Sequence, residues 1–292
     1  MKDKDTITRR EVLKSSVGLL GLAYFSTYTA FTMDKNRRFK IGACDWSIGQ
    51  KANVNAIKTG KEIGLDGIQV SLGTLDDDMH LRQKKIQQKY KDACKKYGMA
   101  IASIAIIELN NVPYKSDPRT EQWVSDSIDV ARSMGCKVVM LPFFSNGDLK
   151  NDVEGTQETI RRLKKVAPKA EDNGIILGIE SWLSAEEHME ILNSVNSPNV
   201  KVYYDMCNSN KMGYNIYDEI RWLGKENICE FHAKENGYLL GQGKIDFQKA
   251  RKAIDDIQYE GWIQIEGAVP ENAEMFDSYV LNNRYIRSIF KS

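Results

Sequence analysis

The chain has 292 residues, 42% of them apolar and 28% charged, with 41 basic and 40 acidic side chains and a formal net charge of +1. That length suits one large domain or two ordinary ones, and the composition is that of a soluble globular protein. No basic block follows the N-terminus, so nucleic acid has no electrostatic footprint here; five cysteines without C-x-x-C spacing argue against a disulfide framework and a cysteine zinc site.

The first segment differs from the rest. Arg9 and Arg10 stand in TRREVLKSS, ahead of the short apolar stretch VGLLGLAYF and the small and polar residues of STYTA. A charged region, a short apolar region and a small-residue region in that order resemble a twin-arginine export signal. The apolar run is too short to span a bilayer comfortably. Residues 1–33 are read as export signal and leader, with the membrane a partner only during export. Residues 34–292 are read as one periplasmic domain.

From Phe39 onward, short β-branched apolar runs alternate with segments of helical spacing. FKIGACD (39–45) is the first predicted strand, followed by a helix over 53–64 that opens on Asn53. GIQVS (67–71) precedes a helix over 81–98 that ends in a cationic turn and Gly98. MAIASIAII (99–107) precedes a helix over 117–135, with Asp117 as cap, Pro118 at the first helical position and Gly135 as stop. KVVMLPF (137–143) precedes a helix over 153–174, in which Pro168 is a kink candidate. GIILGIE (174–180), VKVYYD (200–205), ICEFHA (228–233) and GWIQIEG (261–267) then alternate with helices over 184–195, 215–224, 246–257 and 272–290. The strand runs are continuously apolar, as in strands covered on both faces. Eight strand–helix units in roughly 250 residues fit a single α/β domain of (β/α)8 barrel type. The competitor is a doubly wound open sheet, which usually carries a glycine-rich turn after its first strand. WSIGQKANV, at that place, has no G-x-G-x-x-G.

In such a barrel the chemistry sits at the C-terminal ends of the strands. The fifth run ends at Glu180, the sixth at Asp205, the seventh at His232 and the eighth at Glu266, separations of 25, 27 and 34 residues. A buried carboxylate needs a cation or donors. Four such groups on adjacent strands can converge on one point. Three carboxylates and one imidazole form a mainly hard donor set suited to Mn²⁺ or Mg²⁺ and acceptable to Co²⁺ or Zn²⁺. The competing reading is four unrelated strand-end polar residues capping the next helices.

GIESW, VYYDMCN, EFHAKE with GQGKIDF after it, and IQIEG together resemble the xylose isomerase-like superfamily, the sugar isomerases and epimerases that also include endonuclease IV-type proteins. The similarity runs from about Lys40 to Phe290 and is strongest from Gly178. It implies a (β/α)8 barrel holding one divalent metal, Mn²⁺ first, on Glu180, Asp205, His232 and Glu266. It also implies a catalytic pair, Glu180 and Glu266, flanking the substrate from opposite faces as in the epimerase branch. Glu186, six residues after Glu180, matches a carboxylate that holds substrate hydroxyls there. Two positions depart from the pattern. Asn208 stands where many of these epimerases carry a histidine, and Tyr238 where a basic residue often steers substrate. Asn hydrogen-bonds a hydroxyl but cannot shuttle a proton. Endonuclease IV-type members need further histidines for a three-zinc cluster; here only His80 and His188 remain, both expected at the surface, so a DNA-repair role is not expected.

Trp46 at the end of the first strand and Glu108 at the end of the third are further substrate candidates, as are Lys234 and Glu235 at the pocket mouth; Trp46 is alternatively barrel-bottom core, and Phe143 is a weaker candidate wall. The expected activity is a divalent-metal-dependent isomerase or epimerase working through a metal-stabilised enediolate. Export favours an unphosphorylated sugar. The alternatives are a 3-keto-glycoside lyase or hydratase using the same site, and a non-catalytic sugar-binding barrel. The expected partner is a small carbohydrate; a homo-oligomer stays open.

Overall fold

A computed structural model describes residues 37–291. The twin-arginine leader, Arg9 and Arg10 included, lies outside the described residues. Strands β1 (Phe39–Cys44), β2 (Gly67–Ser71), β3 (Ala100–Ala105), β4 (Val138–Phe143), β5 (Ile176–Ser181), β6 (Val200–Asp205), β7 (Ile228–Lys234) and β8 (Gly261–Glu266) follow one another around a closed parallel barrel. Closure is direct: β1 pairs with β8 from Phe39↔Gly261 to Ala43↔Ile265. The described helices are α1 (Asn55–Ile63), α2 (Lys84–Tyr97), α3 (Arg119–Met134), α4 (Val153–Asn173), α5 (Ala185–Val195), α6 (Met206–Lys211), α7 (Ile216–Asn227), α8 (Phe247–Asp256) and α9 (Met275–Ile289).

Local signals place most of these boundaries. Gly98, Gly135 and Gly174 take left-handed backbone at the ends of α2, α3 and α4, where a side chain would be strained. Asp117 Oδ1 accepts from the Arg119 amide at 2.9 Å, and Pro118 sits one position earlier relative to α3 than the sequence suggests. Pro168 stands inside α4, which runs on through it to Asn173. The sequence pattern does not predict α6. It is a single polar turn, MCNSNK, directly after β6.

Two apolar clusters result. The larger lies between strands and helices and includes Ile41, Ile68, Leu141, Ile179, Phe231 and Ile265. The smaller, Ala105, Val138, Met140 and Tyr203, is separate from it. The barrel lumen also holds polar groups: Gln69, Ser103, Tyr203, Glu230 and Gln264 come from five different strands, are all buried, and hydrogen-bond one another. Side chains of such separate strands meet only inside the barrel.

Candidate metal centre

Each of the last four strands delivers one side chain to the same end of the barrel. Glu180 lies at the end of β5, held by the turn that follows. Ser181 Oγ accepts from the Leu183 amide at 3.1 Å and lies 3.0 Å from His188 Nε2. His188 Nδ1 donates to the Ser184 carbonyl at 2.9 Å, so Nε2 is left to accept the Ser181 hydroxyl proton. Ser184 and Glu187 form the capping box of α5. His188 is therefore buried, not at the surface as its helical position suggests: its helix face turns toward the β5 turn.

Burial holds the His188 pKa down at about 4. The unfolded chain takes up this proton near pH 6.5, the folded chain only near 4, so stability falls as pH drops through that window. The loss is about 3 kcal/mol. Denaturant unfolding followed against pH is expected to show this slope, and His188→Gln to flatten it. An unchanged slope in the variant removes His188 from the account.

Asp205 does two things at once. Its Oδ1 accepts from the Asn208 amide at 2.8 Å and caps α6. Its Oδ2 is buried and makes no hydrogen bond; it faces Lys234 Nζ at 3.5 Å and His232 Nδ1 at 3.7 Å. His232 is fully buried, its Nδ1 lying 2.9 Å from Glu180 Oε1 and 3.4 Å from Glu266 Oε2. Glu266 is the most open of the four and accepts from Trp46 Nε1 at 2.9 Å and Lys234 Nζ at 2.8 Å. One ligand atom from each of Glu180, Asp205, His232 and Glu266 lies within 4.8 Å of the others.

The electrostatics follow from burial and crowding. Burial, with Glu266 and Asp205 as like charges beside it, pushes Glu180 up to about 7 despite His232. Burial also works against the charge on Asp205, but Lys234 and His232 outweigh it and hold Asp205 low. The same balance keeps Lys234 and His232 well above their ordinary values. Among three crowded carboxylates, Asp205 Oδ2 is buried without a hydrogen bond, a place that a cation would fill. The donor set, one imidazole nitrogen and carboxylate oxygens, fits a hard divalent cation.

The remaining candidates divide. Trp46 sits at the strand ends, not the barrel bottom, with its ring 6.4 Å from that of His232. Lys234 is among the ligand atoms themselves, closer in than a pocket mouth. The Asn208 side chain is buried and makes no hydrogen bond to another described residue. Glu108 lies beyond β3, on a short turn (Ile107–Asn110), and its oxygens are taken by Lys51 at 2.9 Å and Asn111 at 3.1 Å. Glu186 is exposed on the first turn of α5, and no hydrogen bond or ion pair among the described residues joins it to the cluster. Phe143 is fully buried and packs on Tyr114.

Glu235 also turns inward, onto backbone. It accepts from the amides of Ile245 at 2.9 Å and Lys244 at 3.2 Å and so closes the loop between β7 and α8. A Cβ at Gly243 would meet this carboxylate and push it off the two amides. Glu235→Ala is expected to leave the buried Ile245 amide and the part-buried Lys244 amide unmet, cost ~1–3 kcal/mol, and open residues 236–243 to limited proteolysis. A wild-type cleavage pattern in the variant would mean the loop is held by something else.

A family model described as xylose isomerase-like TIM barrel matches residues 57–279. The chain belongs to that family. Among its relatives, D-psicose 3-epimerase of Enterocloster bolteae is 26% identical over 123 residues, 39% of this chain and 40% of that one. The 2-epi-5-epi-valiolone 7-phosphate 2-epimerase of Actinoplanes sp. is 22% identical over 188 residues, 64% of this chain and 67% of that one. The chain thus spans between two fifths and two thirds of the length of these relatives. The barrel superposes on the structure of D-psicose 3-epimerase with D-tagatose from Clostridium cellulolyticum H10 with a TM-score of 0.73 at 17% identity, covering 87% of this chain and all (100%) of that one. It also matches 3-keto-D-glucoside 4-epimerase from E. coli, TM-score 0.67 at 14% identity, covering 86% and 99%. Family membership and these folds agree with the closed eight-stranded barrel.

Proposed function

We propose that the chain is a divalent-metal-dependent isomerase or epimerase of an unphosphorylated sugar, with Glu180, Asp205, His232 and Glu266 holding the ion. The observation that carries this reading is the convergence of these four ligand atoms within 4.8 Å, with Asp205 Oδ2 buried and without a hydrogen bond. Relatives named as epimerases support the reaction class. When bound, a divalent ion, Mn²⁺ by preference, would stabilise the negative charge that develops on a sugar carbonyl as a neighbouring proton leaves. The chain's own residues move the proton. Glu180, buried with Oε1 2.9 Å from His232 Nδ1, is one acid–base group of the pair. Glu266 has its lone pairs aimed by Trp46 and Lys234. The two stand on β5 and β8, on either side of the strands that bear Asp205 and His232. One takes the proton from carbon and the C–H pair moves to the carbonyl; the other returns a proton from the opposite face, which inverts the centre. Asn208 is free to hold a hydroxyl. A cavity of about 270 Å³ past the ends of β6 and β7 is lined by Cys207, Asn210, Asn236, Tyr238 and Lys244, and none of the four ligands lines it.

The lyase reading is favoured by one contact. Lys234 Nζ stands 2.8 Å from Glu266 Oε2, so an ammonium is at hand to hydrogen-bond the charge on a leaving oxygen. The unphosphorylated substrate and the periplasmic location both rest on the leader, Arg9 and Arg10. The deciding experiment is incubation with Mn²⁺ and a panel of ketoses, aldoses and 3-keto-glucosides in D₂O. Deuterium at the carbon beside a carbonyl is expected. Eliminated product would shift the assignment to a lyase. Neither exchange nor elimination in Mn²⁺-loaded protein would leave a non-catalytic sugar-binding barrel.

A further inference from the structure

We infer that Gln69 and Tyr203 are positioning residues that fix the tautomer of His232, so that Nδ1 and not Nε2 is the atom offered to a metal. The inference rests on the four-residue metal reading and adds the device that aims its one nitrogen ligand.

Glu230, on β7, is fully buried. Its Oε2 faces three donors: Ser103 Oγ at 2.8 Å, Tyr203 OH at 3.0 Å and Gln264 Nε2 at 3.4 Å. An oxygen with three donors accepts from each, so the Tyr203 hydroxyl proton points at Glu230. Tyr203 oxygen is then left to accept, and the group beside it is Gln69 Nε2 at 3.1 Å. The second Nε2 proton of Gln69 faces Met140 Sδ at 3.5 Å, and a thioether sulfur only accepts. Both neighbours therefore demand the amide nitrogen on that side, and Gln69 Oε1 must face the other way. There it lies 3.0 Å from His232 Nε2 and 3.1 Å from Cys44 Sγ. A carbonyl oxygen cannot donate, so His232 carries its proton on Nε2. Nδ1, turned to Glu180, Asp205 and Glu266, is then the nitrogen that gives up its proton and offers a lone pair when an ion binds. The Tyr203 ring also packs edge-on against the imidazole, with centroids 4.6 Å apart. The orienting partner of a metal-binding histidine is often a carboxylate or backbone carbonyl; here a neutral amide does it, itself aimed by a buried network spanning five strands.

His188 supplies an internal control, because the Ser184 carbonyl puts its proton on Nδ1, the opposite tautomer. The test uses the full chain with ¹⁵N-labelled histidine and Zn²⁺ as a diamagnetic ion. Two-bond ¹H–¹⁵N correlation is expected to show His232 protonated on Nε2 and His188 on Nδ1. In the metal-free chain, titration calorimetry with Mn²⁺ is expected to give a Kd about 10- to 100-fold weaker in Gln69→Leu and a smaller loss in Tyr203→Phe. A Zn²⁺-loaded chain with His232 protonated on Nδ1 overturns the inference. So does a Kd unchanged in both variants, which leaves the metal reading intact. A wild-type chain that binds neither ion overturns the metal reading and this inference together. If Gln69→Leu does not fold, the wild-type tautomer and Tyr203→Phe decide.

Discussion

Glu180→Gln and Glu266→Gln are each expected to slow epimerisation by about 10²- to 10⁴-fold, the usual contribution of a positioned acid or base, while failing differently in D₂O. In a two-base reaction each glutamate serves one face of the substrate. A variant lacking one base still removes the proton that its surviving partner can reach. Glu180→Gln should therefore exchange deuterium into one epimer, and Glu266→Gln into the other, with neither converting the two. A one-base isomerase or a lyase gives another pattern: one variant is silent toward every substrate and the other keeps partial activity. Because both residues are also proposed ligands, the comparison is made at saturating Mn²⁺, with bound metal counted. Glu266→Gln carries an added cost. Trp46 Nε1 and Lys234 Nζ both donate to Glu266, and a glutamine oxygen with an N–H beside it cannot serve both. Its KM should rise along with the fall in kcat. Equal exchange by both variants into both epimers would remove the pair from the chemistry.

The barrel and its four converging side chains were legible because each rests on a local pattern. Eight apolar runs punctuated by caps define the strands; β6 and β8 close on a carboxylate, while β5 reaches Glu180 one residue and β7 reaches His232 two residues before its end. What was not legible depends on which way a side chain turns. His188 and Glu235 read as polar positions on a helix and a loop, and only three-dimensional packing shows them tied to the Ser181 turn and the 244–245 amides. Glu108 lies three residues past β3 because the apolar run of the sequence continues into a turn, and apolar content does not mark where a ladder stops. The lumen network did leave a trace. Tyr203, Glu230 and Gln264 each stand two residues before Asp205, His232 and Glu266. Alternation of side chains along a strand puts residues two apart on the same face. A polar residue interrupting an otherwise apolar run at that offset marks a second inward layer below the ligands. Reading the runs as uniformly buried concealed it.

Mn²⁺ is expected to raise the melting temperature of the wild-type chain and to have almost no effect on Asp205→Asn. An ion present at 100 times its Kd stabilises the folded state by about 2.7 kcal/mol, a shift of about 5–10 °C for a chain of this size. Asparagine is chosen because the two oxygens of Asp205 do separate work. Oδ1 caps α6 through the Asn208 amide, and an asparagine oxygen does the same. Oδ2 is the buried oxygen without a hydrogen bond, and an amide nitrogen in its place brings two protons where an ion needs a lone pair. The helix stays capped while the ligand is lost. The metal-free variant should also melt below metal-free wild type, because Lys234, mostly buried, loses one of its two carboxylate partners while Glu266 still holds it at 2.8 Å. The two effects separate on one instrument: the metal-free difference reports the ion pair and the Mn²⁺-induced shift reports the ligand. A full Mn²⁺ shift in Asp205→Asn would place the ion elsewhere. A shift lost together with a large metal-free destabilisation would mean that asparagine had failed to keep the cap.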